Sequence, residues 1–164
     1  MKDYSNDPTA LNLPWPDSPF LHAHLAGGDE SADDARLRSF HEEGFLVVED
    51  LFDPALIDRI VADYPRLFDP STVFEPDYPR PPVYALDPNR RQDAWVASEP
   101  IRELACHPDV LALLESLYQR RPIPFQTLNF MPGSQQAAHS DSIHFSSLPN
   151  GFMCGVWVAL EDTT

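Results

Sequence analysis

The sequence predicts an α+β fold in which helices come first and an antiparallel β-barrel or jelly roll follows. Three observations carry this. Apolar residues recur at helical spacing between 31 and 64 and again between 99 and 118. From Pro124 to Leu160, strand-type runs alternate with turn signals. The last run, Phe152 to Leu160, is apolar on both faces, as a strand buried on both sides must be.

Residues 1–30 hold Asp, Pro and the pair Gly27-Gly28 and are expected to form an irregular arm. His22 and His24 stand there two apart, the spacing of a ligand pair, but Leu-rich neighbours and no nearby acid make them structural. A first helix is expected over 31–43, with Asp29 or Ser31 as N-cap, Gly44 closing it, and Leu37 and Phe40 on one face. Phe45 to Glu49 reads as a strand. Asp53-Pro54 starts a second helix with Leu56, Ile57, Ile60, Val61 and Tyr64 at helical spacing, and Pro65 should end or kink it. Residues 68–93, with Pro70, Pro76, Pro79, Pro81, Pro82 and Pro88, are expected as a long loop, equally open as a binding lid or a plain connector. Ser98-Glu99-Pro100 caps a short helix through Ala105, and His107-Pro108-Asp109 leads to another over 109–118 with Val110, Leu113, Leu114 and Leu117 as its buried stripe. His107, before a proline at a helix start, is structural on this reading. No internal repeat or low-complexity segment is present.

The chemistry concentrates in Gln136-Ala137-Ala138-His139-Ser140-Asp141 and the following Ser142-Ile143-His144-Phe145. His139 and Asp141 are two apart, so on a β-strand the imidazole and the carboxylate point to the same side. A neutral nitrogen donor beside an anionic oxygen donor makes two thirds of a 2-His-1-carboxylate facial triad, the usual holder of non-heme Fe(II) in oxygenases. A His-x-Asp pair also arises by chance or as a surface hydrogen bond, so its setting decides. Upstream, Pro124 to Phe130 reads as a strand and Met131 to Ser134 as a turn; downstream, Ser146 to Gly151 is a turn leading into Phe152 to Leu160. That order is the layout of a jelly roll with a metal inside its mouth. His144 completes a His-x-Asp-x-x-His string, but three residues from Asp141 on a straight strand it faces the other way, and with Phe145 it reads as a substrate-pocket residue. A zinc hydrolase on His139, Asp141 and His144 has no supporting residues. A non-catalytic jelly-roll binding module is the alternative class.

The strand Phe125-Gln126-Thr127-Leu128-Asn129-Phe130, the pair His139 and Asp141, and the closing Val156-Trp157-Val158-Ala159-Leu160-Glu161-Asp162 resemble the phytanoyl-CoA dioxygenase family. Phe40 to Phe52 is similar to the helix, strand and helix start that open that family's fold, and the resemblance spans roughly residues 37–164. It implies a double-stranded β-helix (jelly roll) with flanking N-terminal helices, and an oxygenase dependent on Fe(II) and 2-oxoglutarate. It further implies His139 and Asp141 as metal ligands, with Asn129 and Gln126 as candidates to approach the oxo acid. Three iron positions left open would serve 2-oxoglutarate, through two oxygens, and O2. The family's Gly-rich loop, distal His and 2-oxoglutarate-binding Arg follow the strand that ends near Leu160, and none is present here. An eight-stranded roll needs roughly 65–95 residues. From Pro124 to Thr164 there are 41 positions. Residues 31–164 are therefore expected to be the N-terminal part of a single oxygenase domain, truncated after about half of the roll. The chain alone is expected to be inactive.

Composition excludes several partners. Eleven basic against twenty-six acidic residues give a net charge of −15 over 164 residues, which argues against nucleic acid and against an anionic membrane surface. No apolar run approaches the ~20 residues of a membrane span, and Met1 to Pro8 has no signal-peptide core. Cys106 and Cys154 read as reduced core thiols, which suits a cytoplasmic protein. The expected partners are O2 and a small-molecule substrate whose identity the fold does not determine. Arg90-Arg91 and Arg120-Arg121 read as solvated pairs rather than an acyl-CoA site.

Overall fold

Helix boundaries follow the capping chemistry closely. The computed structural model describes residues 13–26, 31–72, 89–131, 139–141 and 151–162. The chain divides into two units, the first comprising 1–49, 108–122 and 140–157, the second 50–107, 123–139 and 158–164.

In the first unit, the arm expected to be irregular contains a 3-10 turn at Trp15–Asp17 and a short helix α1 (Leu21–Leu25). Ser18 Oγ accepts the Phe20 N–H at 3.2 Å, and Leu21 and Leu25, one helical turn apart, bury the same face. Helix α2 (Ala32–Glu43) opens on a capping box: Ser31 Oγ accepts the Asp34 N–H at 3.1 Å while the Asp34 carboxylate accepts the Ser31 N–H at 3.1 Å. It closes at Gly44, whose φ of 78° suits a residue without Cβ and lets its N–H reach Phe40 O at 2.9 Å. Leu37 of α2, Leu21 and Leu25 of α1, and Leu117 near the end of Pro108–Tyr118 form one core, flanked by Phe40, Leu46, Leu113 and Tyr118. Cys154 and the Tyr118 hydroxyl are hydrogen-bonded, and burial is the main cause pushing both groups' pKa values up. Gly151 (φ 86°) packs so closely that an added Cβ would lie 2.7 Å from Asp17 Oδ2.

The second unit is built on α3 (Pro54–Leu67). Asp53 caps it by accepting the Ala55 N–H at 2.9 Å, and Pro54 occupies the first turn, where its missing N–H costs nothing. Leu56, Ile60 and Leu67 face a core shared with Phe68, Ala94 and Ile101. Pro65, expected to end or kink the helix, lies inside its last turn. There it removes one backbone bond only, and Phe68 N–H closes the helix onto Tyr64 O at 2.9 Å. Strand β1 (Arg90–Gln92) follows, inside the stretch expected to be loop, with Asp93 in the left-handed region (φ 56°) ending it. Ser98 then caps α4 (Glu99–Ala105) and also donates to Asp63 Oδ2 at 2.6 Å, tying α4 to α3. Helix α5 (Pro108–Tyr118) belongs to the first unit. Strand β2 (Leu128–Phe130) returns antiparallel to β1 in the register Arg90↔Phe130, Arg91↔Asn129, Gln92↔Leu128. The Asp93 N–H to Thr127 O and Met131 N–H to Asn89 O bonds, 2.7 and 2.9 Å, extend the ladder at both ends.

The fold class is α+β, with an antiparallel sheet of two strands among the described residues. Two expected strands are not seen as such. Phe45 to Glu49 and Phe152 to Leu160 pair with no strand among the described residues. Leu46 reaches the first core and Leu160 the second, while Phe45, Val47, Val156 and Trp157 are exposed. A strand buried on both faces needs a neighbour on each edge and a layer on each side, and apolar sequence alone does not supply them. Cys106, expected in the core, is exposed at the end of α4; Cys154 is half-buried, and both are free thiols.

Candidate metal centre

Of the ligand strand expected over 137–143, residues 139–141 are described, and they carry no strand ladder. His139 lies in the second unit and Asp141 in the first, and both are exposed. An imidazole nitrogen and a carboxylate oxygen are both donor types that Fe(II) accepts. Among the described residues no group of three or more His, Cys, Asp or Glu side chains could hold a metal ion. His144 and Phe145 lie outside the described residues.

The oxo-acid candidates differ in how far the fold has already engaged them. Asn129 stands directly opposite Arg91, so the two share one face of the sheet. That face meets the end of α3. Asn129 Nδ2 donates to the Tyr64 hydroxyl at 3.4 Å, and Asn129 Oδ1 is closed off from solvent without a partner among the described residues. Burial raises the Tyr64 pKa, with the Asn129 bond opposing it, so the phenol stays protonated. Gln126, just ahead of β2, is half-buried and makes no side-chain hydrogen bond among the described residues.

The Arg90-Arg91 pair, expected to be solvated, is not uniform: Arg91 is buried and Arg90 half-buried. Arg91 is 4% exposed; its Nε donates to Leu67 O at 2.8 Å and its Nη2 to Phe68 O at 3.4 Å, with the guanidinium 5.3 Å from the Phe68 ring centroid. A cation at a helix C-terminus satisfies the last carbonyls and complements the dipole. Arg90, one residue earlier on the opposite face, is half-buried, its Nε closed off from solvent without a partner among the described residues. An arginine Nε without a protein partner can donate a hydrogen bond to an added acceptor. Sequence reasoning missed this residue because Arg-Arg-Gln has neither apolar alternation nor β-branched residues. The signal was the doubled arginine, since alternation on a strand sends two neighbours to opposite faces.

His22, His41 and His107 make structural contacts. His41 Nδ1 is hydrogen-bonded to Pro16 O, with the His22 ring edge-on at 5.3 Å, and His107 meets the Phe52 ring edge-on at 5.2 Å. No helix among the described residues is long and apolar enough to cross a membrane.

The model of the phytanoyl-CoA dioxygenase family matches residues 40–164, a span that contains His139, Asp141, β1 and β2. No curated protein and no solved structure matches the chain.

Proposed function

The chain belongs to the phytanoyl-CoA dioxygenase family, and on that premise we propose that it serves an Fe(II)- and 2-oxoglutarate-dependent dioxygenase that hydroxylates a small organic substrate. The observation that carries the reading is the His139-x-Asp141 pair inside the matched span. On this reading residues 31–164 form part of one oxygenase domain, a double-stranded β-helix with flanking helices. The antiparallel pairing of β1 with β2 is in keeping with that, as are the exposed apolar segments around Phe45, Val47, Val156 and Trp157. Two free thiols suit a cytoplasmic setting.

His139 would bind iron through one neutral ring nitrogen, and Asp141 through its carboxylate, which offsets part of the ion's charge. Bound iron, with O2, supplies the oxidising power, the oxo acid leaving as succinate and CO2 while a substrate C–H becomes C–OH. Asn129, bonded to Tyr64, and Gln126, which makes no side-chain hydrogen bond among the described residues, are the candidate polar contacts to the oxo acid. His144 and Phe145 are assigned to the substrate wall, which positions the C–H bond and keeps water out.

The test is anaerobic titration with Fe(II) and 2-oxoglutarate, reading the visible charge-transfer band that forms when the oxo acid chelates iron. His139→Ala and Asp141→Ala should each abolish it, and acidification should weaken it because only neutral imidazole is a ligand. An undiminished band in either variant would sink the assignment. Complete absence of metal binding in the unaltered protein would favour the jelly-roll binding module instead.

A further inference from the structure

We infer that Tyr64, Thr127 and Asn129 form a binding site for one water molecule, which ties the end of α3 to β2. The site requires neither iron nor oxo acid. Thr127 and Asn129 are two apart along one strand, so their side chains share the face that meets α3. The ladder reaches Thr127, whose carbonyl accepts the Asp93 N–H at 2.7 Å. Thr127 Oγ1 and Asn129 Oδ1 are both closed off from solvent without a partner among the described residues. Buried oxygens in that position cost free energy until a donor reaches them.

Tyr64 supplies the third group. Its hydroxyl accepts from Asn129 Nδ2 at 3.4 Å, which leaves its own hydrogen to donate. The set is then one donor, one acceptor, and one hydroxyl able to serve as either. Water matches it, accepting from Tyr64 and donating to Asn129 Oδ1 and Thr127 Oγ1, and three bonds are usual for a buried water. A cation would meet the Arg91 guanidinium, which shares this face directly opposite Asn129, and an anion would meet Asn129 Oδ1. Same-side positions on an antiparallel strand lie about 6.8 Å apart, and a water about 2.8 Å from each oxygen spans what the Asn129 side chain leaves of that gap.

The test joins a high-resolution crystal structure of the full chain to a double-variant cycle read by denaturant unfolding. An ordered oxygen within about 2.7–3.2 Å of all three groups is expected. Tyr64→Phe and Thr127→Val should each raise the unfolding equilibrium constant about five- to tenfold, the scale of one buried hydrogen bond. Together they should raise it by less than the product of the two, because each already loosens the same water. An Asn129 amide turned so that Tyr64 donates straight to Oδ1, with no ordered oxygen beside it, would overturn the site. A protein side chain in the water's place would do the same. Independent, multiplicative losses in the double variant would overturn the sharing of one water. The structure of the unaltered chain decides even where a variant fails to fold.

Discussion

Helix α3 and the segment 151–160 are both rich in apolar residues and have opposite fates. In α3 every third or fourth residue enters one core, the first turn is capped by Asp53, and the last carbonyls are taken by Arg91. In 151–160 Leu160 reaches that same core, but Trp157 is 75% exposed and no strand ladder forms among the described residues. The difference lies in where the backbone bonds close. A helix satisfies its own N–H and C=O groups within the segment and needs others only at its ends. A strand owes every bond to a neighbour distant in sequence, so its sequence states a need rather than an outcome.

Replacing one residue on each side is the strongest way to break the comparison. Ile60 is 1% exposed in the second core, and Ile60→Ala should cost about 2–5 kcal/mol by transfer and cavity formation. Trp157→Ala should cost less than about 0.5 kcal/mol, as an exposed side chain does. Denaturant unfolding of both variants measures this. A Trp157→Ala cost near that of Ile60→Ala would mean that the segment is packed as firmly as the helix.

The next effect concerns a strand residue acting for a helix. Arg91→Met keeps much of the apolar stem while leaving Leu67 O and Phe68 O without their donor, and should cost about 2–3 kcal/mol. Hydrogen exchange should localise the loss to the last turn of α3. Protection of that turn equal to the parent's would show that water replaces the guanidinium at no cost.

Gly151→Ala probes how firmly the C-terminal segment enters the first unit. At φ 86° and with its new Cβ 2.7 Å from Asp17 Oδ2, alanine should cost about 1–2 kcal/mol. Gly44→Ala makes the control, since it shares the positive φ (78°) with nothing within 4 Å of the added Cβ. If the two variants melt alike, the strain is conformational and the close approach to Asp17 adds nothing.

What was legible from sequence follows the same line. The four longer helices were readable from caps and stripes, because Ser31, Asp53 and Ser98 act within three residues of themselves. β1 was not, because Arg90–Gln92 is a strand only through Leu128–Phe130, far along the chain. His139 and Asp141 were singled out by spacing alone, whereas the face of Arg90 could not be read until the register assigned it. Tyr64 read as one more stripe residue, since nothing local marks its hydroxyl as the partner of Asn129.

The smallest effect sharpens the claim that helices close their bonds locally, because two polar contacts stand in one turn of α2. Ser31 caps backbone donors, and Ser31→Ala should cost about 1 kcal/mol, since the Asp34 N–H loses its acceptor. Arg36 pairs with Asp33 at 3.4 Å, with both side chains more than half exposed (58% and 63%). Water screens such a pair, and holding two long side chains together costs entropy, so Arg36→Ala should change stability by less than about 0.5 kcal/mol. Thermal melts at low and high salt separate the two. The Ser31→Ala loss should persist in salt, because a backbone cap is not an ion pair, while any Arg36→Ala effect should vanish. A salt-sensitive Ser31→Ala loss would instead assign the cap's contribution to the charge of Asp34, and the first turn of α2 would owe its stability to electrostatics rather than to backbone satisfaction.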